Sequence, residues 1–163
     1  MTRINAFRSY RLFWVVVVVA FALDQATKYW IHTNLEEYTR ITVVQGFFWI
    51  AHVHNDGAAW GILSGHGWFL SSLALVALIA IYVYREALDL TSAYMQWVFG
   101  LIVSGILGNL ADRVRLGYVI DFLDFLLGAY RWPAFNIADS CIFCGVALHL
   151  WHTWRHPSPK AER

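Results

Sequence analysis

The sequence predicts an all-α membrane protein with four membrane-spanning helices. Hydrophobic residues make up 59% of the 163-residue chain and charged residues only 14%, whereas ordinary soluble domains carry about 25% charged residues. The missing charge is concentrated in four apolar runs, each near the roughly 20 residues that a helix needs to cross the hydrocarbon core. Trp14, Trp30, Trp68, Trp97, Trp151 and Trp154 fall near the ends of those runs, at the headgroup level that tryptophan favours.

The spans are expected at 12–30, 68–84, 93–110 and 137–154. Arg3, Arg8 and Arg11 precede the first run in the manner of a secretory signal. No small-x-small cleavage site follows it, and three more apolar runs come later, so it reads as a retained span. With no repeat, linker or low-complexity tract, residues 1–163 read as one integral membrane domain.

Orientation follows from the basic residues of the loops. Arg3, Arg8, Arg11, Arg85, Arg155, Lys160 and Arg163 share one side; Lys28, Arg40, Arg113, Arg115 and Arg131 share the other. The richer side, which holds both termini, is expected in the cytoplasm. Acids are distributed the opposite way. Glu86, Asp89 and Glu162 lie inside, while Asp24, Glu36, Glu37, Asp56, Asp112, Asp121, Asp124 and Asp139 lie outside. Acids contribute little to topology, so their clustering points to function.

The outer segments are not featureless. Residues 40–54 are β-branched and aromatic and read as two short strands around Gly46, a small sheet able to hold an extended peptide by edge pairing. Residues 120–127 are apolar and too short to span, and are expected to lie in the interface plane.

Several function classes are excluded. A net charge of +1 and the absence of a basic stripe argue against nucleic-acid binding. Cys141 and Cys144 form a C-x-x-C inside an apolar run, where free cysteine behaves as a small buried hydrophobe. His52 and His54 point the same way on a strand, but no third ligand is evident beside them. Neither a metal nor a cofactor is expected.

Ionisable residues at membrane depth are costly and mark functional sites. Asp24 and Lys28 stand at i and i+4, either as a local ion pair or as groups that orient a nearby site. The third span carries Gly100, Ser104 and Gly108 at intervals of four, a spacing that permits close helix contact. Asp112 continues that face, and Asn109 and Arg113 share another. In the fourth span Asn136 caps the helix, and Asp139 follows in the first turn, where the helix dipole favours an anion. Asp121 and Asp124 lie between these spans, and periodicity does not decide which of them faces the site; the other is expected to be solvated. Two carboxylates brought together share a proton, so one can activate water while the other protonates a scissile carbonyl. A small proton-coupled transporter is the alternative, although the acids gather on one side rather than through the span. A lipid-binding scaffold is a third reading.

Five blocks carry a family resemblance: Asp24-Gln25-Ala26-Thr27-Lys28, Asn55-Asp56-Gly57-Ala58-Ala59-Trp60-Gly61, Gly108-Asn109-Leu110-Ala111-Asp112-Arg113, Gly117-Tyr118-Val119-Ile120-Asp121-Phe122 and Phe135-Asn136-Ile137-Ala138-Asp139-Ser140. In this order and spacing the chain resembles the lipoprotein signal peptidases, or type II signal peptidases. The resemblance implies a four-helix aspartic endopeptidase of the bacterial plasma membrane, with its site near the outer surface. Its substrates would be diacylglyceryl-modified prolipoproteins, cut just before the lipidated cysteine. Asp121 and Asp139 would be the catalytic dyad. Asp24, Lys28, Asn55, Gly57, Gly108, Asn109, Asp112, Arg113, Asn136 and Ala138 would shape and support the site. The resemblance also implies a sheet-like cradle and a short interfacial helix. Trp60 stands where Phe is common, Ser104 where Gly is common, and His54 precedes Asn55.

Overall fold

A computed structural model of the chain describes residues 10–57 and 62–156. The tail arginines used for orientation, except Arg11 and Arg155, and residues 58–61 of the second motif lie outside the described residues. The elements run α1 (Arg11–Asn34), β1 (Arg40–Val44), β2 (Phe48–Asn55), α2 (Gly67–Val83), α3 (Ala93–Leu116), β3 (Val119–Leu127), β4 (Tyr130–Phe135) and α4 (Ile137–Arg155). Each expected span coincides with a helix. Among the described residues, α1 and α3, of 24 residues each, are long and apolar enough to cross a membrane. The other two are shorter, at 17 residues for α2 and 19 for α4.

Contacts between the helices give their directions. Val16 of α1 lies beside Gly100 of α3, and Asp24 lies beside Gly108 further along, so α1 and α3 run parallel. Ala138 meets Gly105 and Gly108, while the Tyr94 hydroxyl reaches the Leu148 carbonyl, so α4 runs antiparallel to them. Gly67 begins α2 beside Gly117, which ends α3. The helices therefore alternate up and down, and Tyr10 and His156 end at the same face of the bundle.

Small residues set the helix spacing, as their four-residue interval predicts. A Cβ added at Gly108 would meet Asp24 Oδ2 at 2.5 Å, and one at Gly100 would meet Val16 at 2.9 Å. Gly105 lies directly against the Ala138 carbonyl oxygen. One apolar cluster, with Phe13, Val17, Met95, Val98 and Ile102 at its centre, fills the end of the bundle that holds Tyr10 and His156. α2 buries none of its residues. Leu73, Leu75, Val76 and Ile79 are bare, an all-round apolar surface that suits hydrocarbon rather than water.

The opposite end carries a four-stranded antiparallel sheet in the order β1-β2-β3-β4. Gly46, at φ +74°, makes the turn between the two strands expected from residues 40–54. The sheet rests on the last turns of α1 through Ile31, Ile120 and Phe122.

Two expectations need correction here. Residues 120–127 do not form an interfacial helix; they lie in β3, and among the described residues no helix interrupts 117–136. The physical reason is pairing. β2 offers a free edge whose backbone groups need partners, and the β-branched and aromatic residues of β3 fit a pleated surface better than an isolated helix. Nor is Asp124 solvated. It is 2% exposed and held by Arg40 at 3.0 Å and Arg131 at 2.6 Å. Arg131 stands on the neighbouring β4 and Arg40 on β1 across β2, pairings that no local pattern in the sequence shows.

The tight α3–α4 seam yields a prediction. Gly105→Ala should lower the thermal midpoint of the protein in detergent, because the added carbon strikes a backbone carbonyl that cannot rotate away. Overpacking of this kind costs about 1–3 kcal/mol, which exceeds the roughly 1 kcal/mol that alanine gains over glycine in a helix interior. An unchanged midpoint would show that the two helices separate freely.

Candidate active site

The site grows from a buried lysine. Lys28 lies two turns before the end of α1 and is 2% exposed. Its Nζ pairs with Asp24 and Asp112, both at 2.9 Å, and donates to Asn109 Oδ1 at 3.0 Å. The Asp24–Lys28 pair is therefore more than a helix-end cap: it ties α1 to α3. Gln25 reinforces it by donating to Asp24 at 3.2 Å and to Asp112 at 3.1 Å.

Each structural carboxylate then orders a further element. Asp24 Oδ1 accepts from the Ala138 backbone N–H at 2.8 Å, positioning the first turn of α4. Asp112 Oδ2 accepts from the Ile120 N–H at 3.4 Å, positioning β3. Asn109, fixed by Lys28, donates its Nδ2 to Asp139 Oδ1 at 2.7 Å. A side chain at Gly108 would displace Asp24, so the small residue belongs to the same construction.

Asn136 joins the two acids singled out in the sequence. Its Nδ2 donates to Asp121 Oδ1 at 2.7 Å, and its backbone N–H donates to Asp139 Oδ2 at 3.3 Å. Its Oδ1 accepts from the Asp139 N–H at 2.9 Å, which completes a capping box at the start of α4. Asp121 also accepts from Asn55 Nδ2 at 2.8 Å, and Asn55 Oδ1 accepts from the Gly57 N–H at 3.0 Å. Arg113 donates to the Gly57 carbonyl at 3.0 Å, while its Nε has no partner among the described residues. Burial pushes the Asp121 carboxyl up to about 7; the Asp139 charge adds to the rise, and the Asn55 and Asn136 amides and Lys28 oppose it.

Tertiary structure thus gathers every residue named as dyad or support into one continuous network. It also separates Asp121 from Asp124, which points to the arginines of the sheet. A cavity of about 520 Å³ opens over Asp139 between α4 and β4, with Asn55, Asn109, Arg113 and Asp139 at its polar wall and Trp132, Pro133, Phe135 and Phe143 at its apolar wall. Below it a second groove of about 400 Å³ follows α4 past Ile142, Val146 and Leu150. Cys144 lines the cavity, and both cysteines are free. The proton-coupled transporter gains no support, since the buried acids all sit at one end of the bundle.

Sequence reading missed three participants. Gln25 bridges the structural carboxylates, Arg131 holds Asp124, and His32 lies beside His52 and His54. Gln25 stands inside a quoted motif, which was its only signal. Arg131 and His32 had none, because their partners arrive from other elements.

Lys28 supplies the prediction of this site. Lys28→Met should destabilise the protein by about 3–5 kcal/mol, because it leaves Asp24 and Asp112 buried without their cation. Thermal unfolding in detergent checks this, and a loss below about 1 kcal/mol would count against the hub.

The comparisons with known proteins agree with this geometry. The family model for signal peptidase (SPase) II matches residues 16–155. A lipoprotein signal peptidase of Desulforapulum autotrophicum is 42% identical over 144 residues, covering 85% of this chain and 88% of the relative. One from Geobacter metallireducens is 45% identical over 143 residues, covering 86% and 88%. A solved bacterial membrane enzyme superposes with a TM-score of 0.84 at 36% identity, covering 93% of this chain and 92% of that one. Matched along nearly its whole length, the chain belongs to the signal peptidase II family.

Proposed function

We propose that this chain removes the signal peptide from prolipoproteins, with Asp121 and Asp139 as the acid–base pair that activates water. It is a protease, and no side-chain nucleophile is needed. The observation that carries the dyad is Asn136, which binds both carboxylates at once, with Asp139 facing an apolar cavity.

In the resting pair Asp121 holds the shared proton and Asp139 carries the charge. Asp139 sits in the first turn of α4, where backbone N–H groups and the helix dipole favour an anion. Burial raises the Asp121 carboxyl to about 7, so it holds the proton below that pH. Asp139 takes a proton from water, and the resulting hydroxide oxygen bonds to the scissile carbonyl carbon. Asp121 gives its proton to the carbonyl oxygen, forming a neutral gem-diol. On collapse the C–N bond breaks, Asp139 passes its proton to the leaving nitrogen, and Asp121 takes one back from a hydroxyl. Arg113 and Gly57 place the peptide, with β4 offering backbone groups along its edge.

The substrates are prolipoproteins whose cysteine carries a diacylglyceryl group, cut just before that cysteine. The apolar groove along α4 suits an acyl chain or an apolar signal helix. Residues 1–163 act as one integral membrane domain of the bacterial plasma membrane, with α1 to α4 all crossing. Both termini lie in the cytoplasm, as the arginine-rich ends require, and the acids lie near the outer surface. Tilt or thinning at the interface accommodates the shorter α2.

Conservative replacements test the dyad. Asp121→Asn and Asp139→Asn should each reduce cleavage of a diacylglyceryl-modified prolipoprotein by at least about 10²-fold, with thermal midpoints close to the parent. Full activity in either would remove it from the mechanism. Asp124→Asn should stay active, losing at most about 1 kcal/mol of stability for each partly exposed arginine pair. The same substrate without its lipid should be cut far more slowly; equal cleavage would argue against lipid recognition.

The pH profile follows from the shared proton. Activity requires one carboxyl protonated and one ionised. Because burial raises the Asp121 carboxyl to about 7, activity should be full below that value and fall as pH rises through it, when the second proton leaves. It should fall again in acid, when both are protonated. The two limbs belong to the pair rather than to either residue. A rate that is flat from pH 6 to 9 would rule out a protonated partner.

A further inference from the structure

We propose that His32, His52 and His54 form a binding site for a transition-metal dication, zinc foremost, on the face of the sheet opposite the acids. The three imidazoles come from two elements. His32 stands in the last turn of α1, and His52 and His54 stand two apart on β2, where alternation puts them on one face. Their candidate ligand atoms all lie within 4.8 Å of one another.

Two of the three rings already stand at coordination spacing, and the exposed His32 lies close enough to swing in. His52 Nδ1 lies 2.9 Å from the Leu35 carbonyl, which only an N–H can satisfy. Its neutral ring therefore presents a bare lone pair at Nε2, the arrangement that metal-binding histidines adopt when a carbonyl fixes their tautomer. That lone pair faces His54 Nε2 at 3.2 Å. Two nitrogens bound tetrahedrally to one zinc, each at 2.0–2.1 Å, are about 3.3 Å apart. A hydrogen bond between the two rings accounts for that spacing, but it does not account for a third imidazole with its ligand atom within 4.8 Å of both.

The rings are also held and accessible as ligands must be. His52 is buried, His54 is stacked on Tyr118 with centroids 3.7 Å apart, and His32 is exposed, leaving a path for the ion. Glu37 Oε1 lies 3.6 Å from His54 Nε2 and is within reach as a fourth ligand, with water as the alternative. Imidazole nitrogens select zinc, copper or nickel over magnesium or calcium, which prefer oxygen. An ion there would clamp β2 to the outer end of α1. His54 directly precedes Asn55, whose amide binds Asp121, so the clamp would steady the strand that carries that amide.

The test uses full-length protein without a polyhistidine tag, stripped by chelator and held in detergent. Zinc is titrated against a chromogenic chelator, with cobalt as a visible probe of tetrahedral geometry. The expected result is one high-affinity equivalent per chain and a rise in thermal midpoint with zinc but not with magnesium. His32→Gln removes an exposed ligand without touching the His52 hydrogen bonds, so it should fold as the parent does. His32→Gln and His54→Gln should each weaken binding by about tenfold or more. His152→Gln/His156→Gln, which removes the neighbouring pair of imidazoles at the other end of the bundle, should leave it unchanged. No high-affinity equivalent in the parent would overturn the proposal, as would binding that persists undiminished in both His32→Gln and His54→Gln.

Discussion

A single buried ammonium organises the acid-bearing end of this molecule. Lys28 pairs with one carboxylate of its own helix and one from α3, and binds the amide that touches Asp139. Three charges this deeply buried are expensive to desolvate, and they persist only when every lone pair and proton is met. Here each carboxylate spends its remaining lone pairs on backbone N–H groups, Asp24 on Ala138 and Asp112 on Ile120. The ion pairs are thus also a positioning device. They decide where α4 starts and where β3 enters, and those two points place Asp139 and Asp121.

Small residues and the polar network are parts of one solution. Hydrocarbon gives helices no hydrophobic reason to associate, so close packing and polar contacts must hold them together. Gly100, Gly105 and Gly108 let α3 approach its neighbours closely enough for Lys28 to span the gap. A larger residue at 108 would occupy the space of the Asp24 carboxylate itself. Packing and electrostatics at this seam therefore cannot be changed independently.

The environment of the proposed dyad suits proton sharing. Asp121, on β3, has two amide donors and, among the described residues, no cation in direct contact, so burial dominates and raises its carboxyl to about 7. Asp139 lies one capping box away, at a helix start that favours charge. Asn136 enforces this asymmetry by touching both groups with different atoms. The apolar wall of the cavity excludes water from the neighbourhood and strengthens each of these interactions.

The helices were legible from sequence because a membrane imposes length and apolarity directly on the chain, and residues 12–30, 68–84, 93–110 and 137–154 each coincide with one. Gly46 between β-branched runs announced β1 and β2. The Asn136–Asp139 cap was legible too, since its partners are three residues apart. By itself the sequence also put most of its acids at one end of the bundle, and its motif register singled out Asp121. What only tertiary structure decided is which polar groups meet. Residues 120–127 became a strand because β2 supplied the pairing edge, and Asp124 was neutralised by Arg40 and Arg131 from strands on either side. His32 came to lie beside His52 across a gap of 20 residues that no local pattern bridges. Periodicity records which face a residue occupies, whereas a hydrogen bond or ion pair depends on a second element whose position only the folded chain sets.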